Sequence, residues 1–207
     1  MHLEIPGPVG PLEALLDEKT LPPRAAVVFG HPHPLQGGTM HTKAVFQGAK
    51  GLVRIGCAVL RFNFRGVGSS AGTHDDGRGE RDDFRAAIDF MAQRYPGVPI
   101  WAAGFSFGSS IALEVGAEDP RVTALIAIAP PVKRDGYSFP NTLASTKPKY
   151  LVQGDMDELC SVQDLWAFYA KLKEPKEVVI IDGASHLFEG KTAEVGEALE
   201  GLLGDAD

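Results

Sequence analysis

Ser106 lies at the centre of Gly104-Phe105-Ser106-Phe107-Gly108, a G-x-S-x-G segment that follows the apolar run 99–103 and precedes the small-residue run 109–113. That order reads as a strand, a sharp turn with serine at its apex, and a helix. Flanking glycines relieve crowding around a strained backbone and leave the hydroxyl exposed. A serine hydroxyl is a weak nucleophile; it needs a base, and the base needs a carboxylate to orient it. Both occur downstream. After the run 150–153 comes Gly154-Asp155-Met156-Asp157-Glu158-Leu159, and after 177–181 comes Asp182-Gly183-Ala184-Ser185-His186. His186 is read as the base, and Asp155, Asp157 and Glu158 compete for the role of the acid. The chemistry implied is acyl transfer through Ser106, with the Phe107 N–H at a helix N-terminus available to a developing oxyanion.

Two other patterns carry different chemistries. His31-Pro32-His33 after the first buried strand could hold a metal, but Pro34, Leu35 and Gln36 follow where further ligands belong, and nothing in the spacing brings His41 or His74 to the pair. Gly66-Val67-Gly68-Ser69-Ser70-Ala71 fits a dinucleotide fingerprint, yet it runs into the acidic loop 72–77 instead of a helix N-terminus, so it reads as a tight turn. Neither a metal nor an organic cofactor is expected.

The elements that must position these residues follow from periodicity. Residues 3–5 and 12–16, separated by glycine and proline, predict an N-terminal β-hairpin. Apolar runs at 25–29, 58–64, 99–103, 124–129, 150–153 and 177–181 predict strands. Phe84, Ala87, Ile88, Met91 and Tyr95 repeat at helical spacing, and Pro96-Gly97 stops that helix. Further helices are expected at 41–53, 107–115, 162–172 and 192–203. Alternating strands and helices imply an α/β fold: a mostly parallel sheet, helices on both faces, and a site on loops at the strand C-termini. The longest irregular stretch before residue 132 is 72–79.

The chain has 207 residues, 44% of them hydrophobic, enough to bury one substantial core; one domain spanning 1–207 is expected. A net charge of −7 and no basic run argue against nucleic acid as a partner. Neither a leader nor an apolar run of bilayer-spanning length is apparent, so a soluble, cytoplasmic protein without a membrane partner is expected. Cys57 and Cys160 stand in unrelated contexts and read as free thiols. Oligomeric state is not legible.

Together these motifs resemble the α/β-hydrolase superfamily, and more closely a group of small bacterial hydrolases related to dienelactone hydrolase. The resemblance covers nearly the whole chain: Gly30-His31-Pro32-His33-Pro34, the segment from Arg61 through Arg65 to Ser69, the serine turn, Ala129-Pro130-Pro131, and the Asp157 and His186 turns. It departs from dienelactone hydrolase in carrying serine where that enzyme has cysteine. The order serine, acid, histidine is that of the superfamily. By the resemblance the acid is Asp157, three positions after Gly154, while Asp155 bonds the backbone of its turn. The second oxyanion donor lies on the loop after the first buried strand. Pro32 and Pro34 have no N–H; by the resemblance His33 holds the position that follows His-Gly in the commoner version of this loop and is the first choice, with Leu35 the second. Residues 61–69 become a structural turn beside the site, with a catalytic Arg65 a secondary reading.

The 17 residues of 132–148 are too few for a cap domain. An open, shallow pocket is therefore expected, with Leu35, Tyr137, Phe139, Leu159 and Phe188 as walls. The functional expectation is a carboxylesterase-like serine hydrolase acting on small-molecule, short-acyl esters. Amides, lactones or thioesters are alternatives for the same triad, and a non-catalytic binding domain is the reading from another class.

Overall fold

The structure, a computed structural model, describes residues 1–204. Eight strands are present: β1 (His2–Ile5), β2 (Leu12–Asp17), β3 (Ala26–Gly30), β4 (Ala58–Phe62), β5 (Ile100–Phe105), β6 (Val122–Ile128), β7 (Lys149–Gly154) and β8 (Lys176–Ile181). They form one sheet in the order β1-β2-β4-β3-β5-β6-β7-β8. The expected hairpin, β1 and β2, is antiparallel and joins β4 antiparallel; every other pairing is parallel. Helices α1 (Lys43–Arg54), α2 (Arg78–Arg94), α3 (Phe107–Glu118), α4 (Pro140–Ala144), α5 (Val162–Tyr169) and α6 (Thr192–Leu203) cover the sheet.

Strands β3 and β5 are buried along their whole length because alternate side chains enter two different cores. Ala26 and Val28 pack with α2 and α3 on one face, through Phe84, Ile88 and Ile111. Val27 and Phe29 pack with α1 and α6 on the other, through Val45, Leu52 and Leu199. Gly51 and Gly196 let α1 and α6 approach closely, since a Cβ on Gly51 would strike the Gly196 backbone.

Several boundaries differ from expectation, and at two of them a side chain takes a backbone N–H. The strand expected over 58–64 ends at Phe62. The Asn63 N–H donates to Glu13 O at 2.8 Å, and the Phe64 N–H donates to His31 Nε2 at 3.1 Å. Helix α2 starts earlier than the apolar pattern showed because Glu80 accepts the Gly77 N–H at 2.8 Å and caps its first turn. The helix expected over 162–172 stops at Tyr169, residues 34–36 form a 3-10 turn, and the segment 132–148 contains only the five-residue α4 among the described residues. No helix among them is long and apolar enough to cross a membrane. Cys57 and Cys160 are both free and buried.

Candidate active site

Three loops at the C-terminal edge of the sheet meet. The first is the turn from β5 into α3, where Ser106 adopts φ 51° and ψ −117°, a conformation that costs a non-glycine residue about 1–3 kcal/mol. Glycines allow it. A Cβ on Gly104 would collide with the backbone of Gly108, and a Cβ on Gly108 would collide with the backbone of Gly30 and His31. The Ser106 N–H is held by Ile128 O at 2.8 Å, and Ser109 Oγ donates to Ser106 O at 2.6 Å.

The second and third loops, after β7 and β8, are tied together by all three competing carboxylates. Asp155 Oδ1 accepts the Gly183 N–H at 2.7 Å. Glu158 Oε2 accepts the His186 N–H at 3.1 Å. Asp157 Oδ2 accepts His186 Nδ1–H at 2.8 Å. Asp155 thus bonds the neighbouring histidine loop instead of its own turn, a correction to the sequence expectation. His186 Nε2 accepts the Ser106 hydroxyl at 2.9 Å, completing a hydrogen-bonded chain of serine, histidine and aspartate. All three residues are buried, Ser106 retaining 8% exposure.

Asp157 also accepts the Leu159 and Cys160 N–H groups at 2.8 and 2.9 Å, and Gln153 Nε2–H at 2.8 Å. Burial pushes its carboxyl up, but the bond and charge of His186 and the two backbone amides outweigh that effect, so the carboxyl lies below the usual carboxylate range. Gln153, which the sequence reading passed over, is fully buried and also donates to Cys160 O at 3.0 Å. Its only sequence signal is polarity at the end of an apolar strand, four residues before the acid.

The Phe107 and His33 N–H groups donate to no protein acceptor among the described residues. The Leu35 N–H, the second choice, donates to His33 Nδ1 at 3.2 Å and is occupied. His31 and His33, weighed as a metal pair, are otherwise engaged. The Phe64 N–H fills His31 Nε2, so Nδ1 carries the hydrogen and donates to Pro32 O at 2.7 Å. Burial lowers the His31 pKa to about 4, against a smaller opposing effect of Pro32. Arg65 forms a buried pair with Asp83 (2.8 Å) and acts as a structural strut.

A cleft of about 600 Å³ opens beside the two unpartnered amides, lined by His33, Phe107, Ile111, Tyr137 and the start of α2. Of the five expected walls, Tyr137 lies there. Phe188 is fully buried against Phe105, and Phe139 is buried against Phe168, so neither can meet a ligand. Contrary to the expectation that both are walls of an open pocket, they belong to the two cores. Leu35 and Leu159 are exposed and lie outside the cleft lining.

A sheet of this order with a strained serine turn after β5, and no cap between β6 and β7, defines the lidless α/β-hydrolase fold. The chain belongs to the serine aminopeptidase S33 family of hydrolases, whose family model matches residues 22–149. It is similar to the uncharacterised protein RP471 of Rickettsia prowazekii, at 36% identity over 204 residues, covering 95% of this chain and 86% of the relative. Among solved structures it is similar to an alpha-beta serine hydrolase homologue from Coxiella burnetii, with 39% identity and a TM-score of 0.91 over 98% of this chain and 97% of the other. XC6422 from Xanthomonas campestris, described as an α/β serine hydrolase without a lid, shares 34% identity with a TM-score of 0.89, over 97% and 92% of the two chains.

Proposed function

We propose that the protein is a carboxylesterase-like serine hydrolase that cleaves small-molecule, short-acyl esters through an acyl-enzyme on Ser106. The observation that carries this reading is the chain from Ser106 Oγ to His186 Nε2 (2.9 Å) and from His186 Nδ1 to Asp157 Oδ2 (2.8 Å). Both distances fall within reach for proton transfer in an unliganded site. Ser106 Oγ attacks the ester carbonyl as His186 Nε2 takes its proton. The Phe107 and His33 N–H groups donate to the oxyanion that forms. His186 then returns the proton to the leaving alcohol, and a water molecule repeats the sequence on the acyl-enzyme. Asp157 holds the imidazole with its hydrogen on Nδ1 throughout and stabilises the imidazolium.

The same machinery acts on amides, thioesters and lactones, because a triad sets mechanism and not leaving group. A fluorophosphonate probe followed by an ester panel tests the reading. Wild-type protein should label at Ser106 and turn over short-acyl esters faster than the matched amides, and Ser106→Ala should do neither. Failure of wild type to label would leave a non-catalytic binding domain; faster turnover of amides, lactones or thioesters would move the reading to that class.

A further inference from the structure

Among the described residues, the cleft beside the Phe107 and His33 amides contains one guanidinium without a salt-bridge partner, that of Arg81. Gly77, the N-cap of α2, faces the cleft floor: a Cβ there would lie 3.7 Å from Phe107 and 3.8 Å from Ile111. Arg81 follows one turn later, its N–H donating to Gly77 O at 3.3 Å, and so shares that face of the helix. It is half-buried and lines the cleft. Among the described residues no carboxylate lies within salt-bridge distance of its guanidinium.

The nearby acids are engaged elsewhere or stand in water. Glu80 accepts the Asp75 and Gly77 N–H groups at 2.9 and 2.8 Å and lies 2.8 Å from His74 Nδ1. Asp83 holds Arg65, and Asp75 holds Arg78 and the Gly79 N–H. Asp76 is 84% exposed and approaches only His74, at 3.6 Å. Asp135 is exposed, and it and Asp76 also line the cleft. Arg81 is thus a fork of donors above an apolar floor, and the Tyr137 hydroxyl on the same cleft is likewise without a protein partner among the described residues.

On the reading of Ser106 as nucleophile, the Phe107 and His33 amides hold the substrate's carbonyl oxygen, and both of those residues line the cleft, whereas neither Ser106 nor His186 does. The cleft thus adjoins the reacting carbonyl. We propose that the acyl portion enters the cleft from the oxyanion amides, runs towards α2 and carries a carboxylate at its far end, so that preferred substrates are monoesters of short dicarboxylic acids, bound through Arg81. The net charge of −7 is screened beyond about 8 Å at physiological salt, so the groups within the cleft decide whether an anion binds. Within the cleft a planar guanidinium matches a carboxylate with two parallel hydrogen bonds.

The test compares the mono-p-nitrophenyl ester of glutaric acid with p-nitrophenyl pentanoate, matched in chain length. Wild type should favour the charged ester in kcat/KM by at least about tenfold, the factor that one charge-assisted hydrogen bond supplies. Arg81→Gln should collapse that ratio, and Arg81→Lys should keep part of it. A second arm measures binding of monomethyl glutarate to Ser106→Ala by calorimetry, with and without Arg81→Gln. If both esters turn over without dependence of their ratio on Arg81, the carboxylate proposal falls and the hydrolase reading stands. If neither turns over yet monomethyl glutarate binds through Arg81, the ester-hydrolase reading falls and the anion site stands.

Discussion

Gln153 Nε2 lies 2.8 Å from Asp157 Oδ2, the same carboxylate oxygen that accepts the His186 Nδ1–H. The amide also donates to Cys160 O at 3.0 Å, so it splints the turn whose Leu159 and Cys160 N–H groups hold Oδ1. Four donors thus fix the carboxylate, and Gln153 is a positioning residue acting through Asp157. Gln153→Met, near in volume but without donors, should lower kcat roughly tenfold, as expected for one bond worth about 1.4 kcal/mol. KM should change little, because the amide touches no substrate. Steady-state kinetics beside a melting curve checks this: a loss confined to KM or to Tm would reduce Gln153 to a packing residue.

Substitutions in the triad should separate by role. Ser106→Ala and His186→Ala should each cost on the order of 10⁶ in kcat, whereas Asp157→Asn should cost about 10⁴, since the imidazole persists as a misoriented base. Circular dichroism should show all three variants folded. Turnover by Ser106→Ala near the wild-type rate would remove Ser106 from the chemistry.

The parts of this arrangement legible in sequence were those encoded locally. Ser106 between two glycines, with apolar residues before and small residues after, dictates its own backbone, and the runs ending near Gln153 and Ile181 delivered the acid and histidine turns to the same edge of a parallel sheet. What was not legible depends on contacts across the sheet. Phe188 and Phe139 sit in loops, and only the packing of Phe188 on Phe105 and of Phe139 on Phe168 shows that they face the cores. Strand β4 ends two residues early, where the Asn63 and Phe64 N–H groups donate to Glu13 O and His31 Nε2, partners 50 and 33 positions away. Gln153 and Arg81 carry no motif at all. Each acquires meaning only from neighbours, the first from Asp157 and the second from the absence, among the described residues, of a carboxylate within salt-bridge distance.

The serine turn is held against β3 through glycine alone. Gly108→Ala would drive a methyl group into the Gly30 and His31 backbone, neither of which can rotate away. Overpacking of this kind costs about 1–3 kcal/mol, which for a chain of this size lowers Tm by roughly 2–12 °C. Gly201→Ala, on α6 where a Cβ meets nothing, is the control and should be neutral or slightly stabilising. Equal melting temperatures for the two variants would show that the close approach of α3 to β3 is not required.

His31 should make folding sensitive to acid. Its folded pKa of about 4 lies below the ordinary value of 6.5 because burial disfavours the charged ring. Between those values the unfolded chain binds a proton that the folded chain does not, so stability falls as pH falls through that window and levels off below it. The difference corresponds to about 3 kcal/mol. Asp157, held below its ordinary value of 3.8, adds a further loss at lower pH. Urea unfolding at a series of pH values measures the slope, and the His31 ring resonances should keep their neutral shifts until about pH 4. A His31 titration midpoint near 6.5 would contradict the buried, neutral ring that bridges Pro32 and Phe64.

The architecture between β6 and β7 should set the acyl-chain preference. Among the described residues the segment 132–148 holds one helix, α4, and that helix is tied down: the Thr142 N–H and Oγ1–H donate to the buried Glu114 of α3 at 3.0 and 2.7 Å. A helix anchored to the serine-bearing element is not a lid that opens at a lipid surface. The cleft of about 600 Å³ has few apolar lining residues, Phe107 and Ile111 chief among them, so a long acyl chain would leave most of its methylenes in water. Each one forgoes about 0.8 kcal/mol of burial. Across neutral p-nitrophenyl esters, kcat/KM should peak at short acyl chains and the rate should pass smoothly through the solubility limit of the longer ones. An optimum at long chains, or a sharp rise once substrate forms an interface, would require an apolar enclosure beyond Phe107, Ile111 and Tyr137.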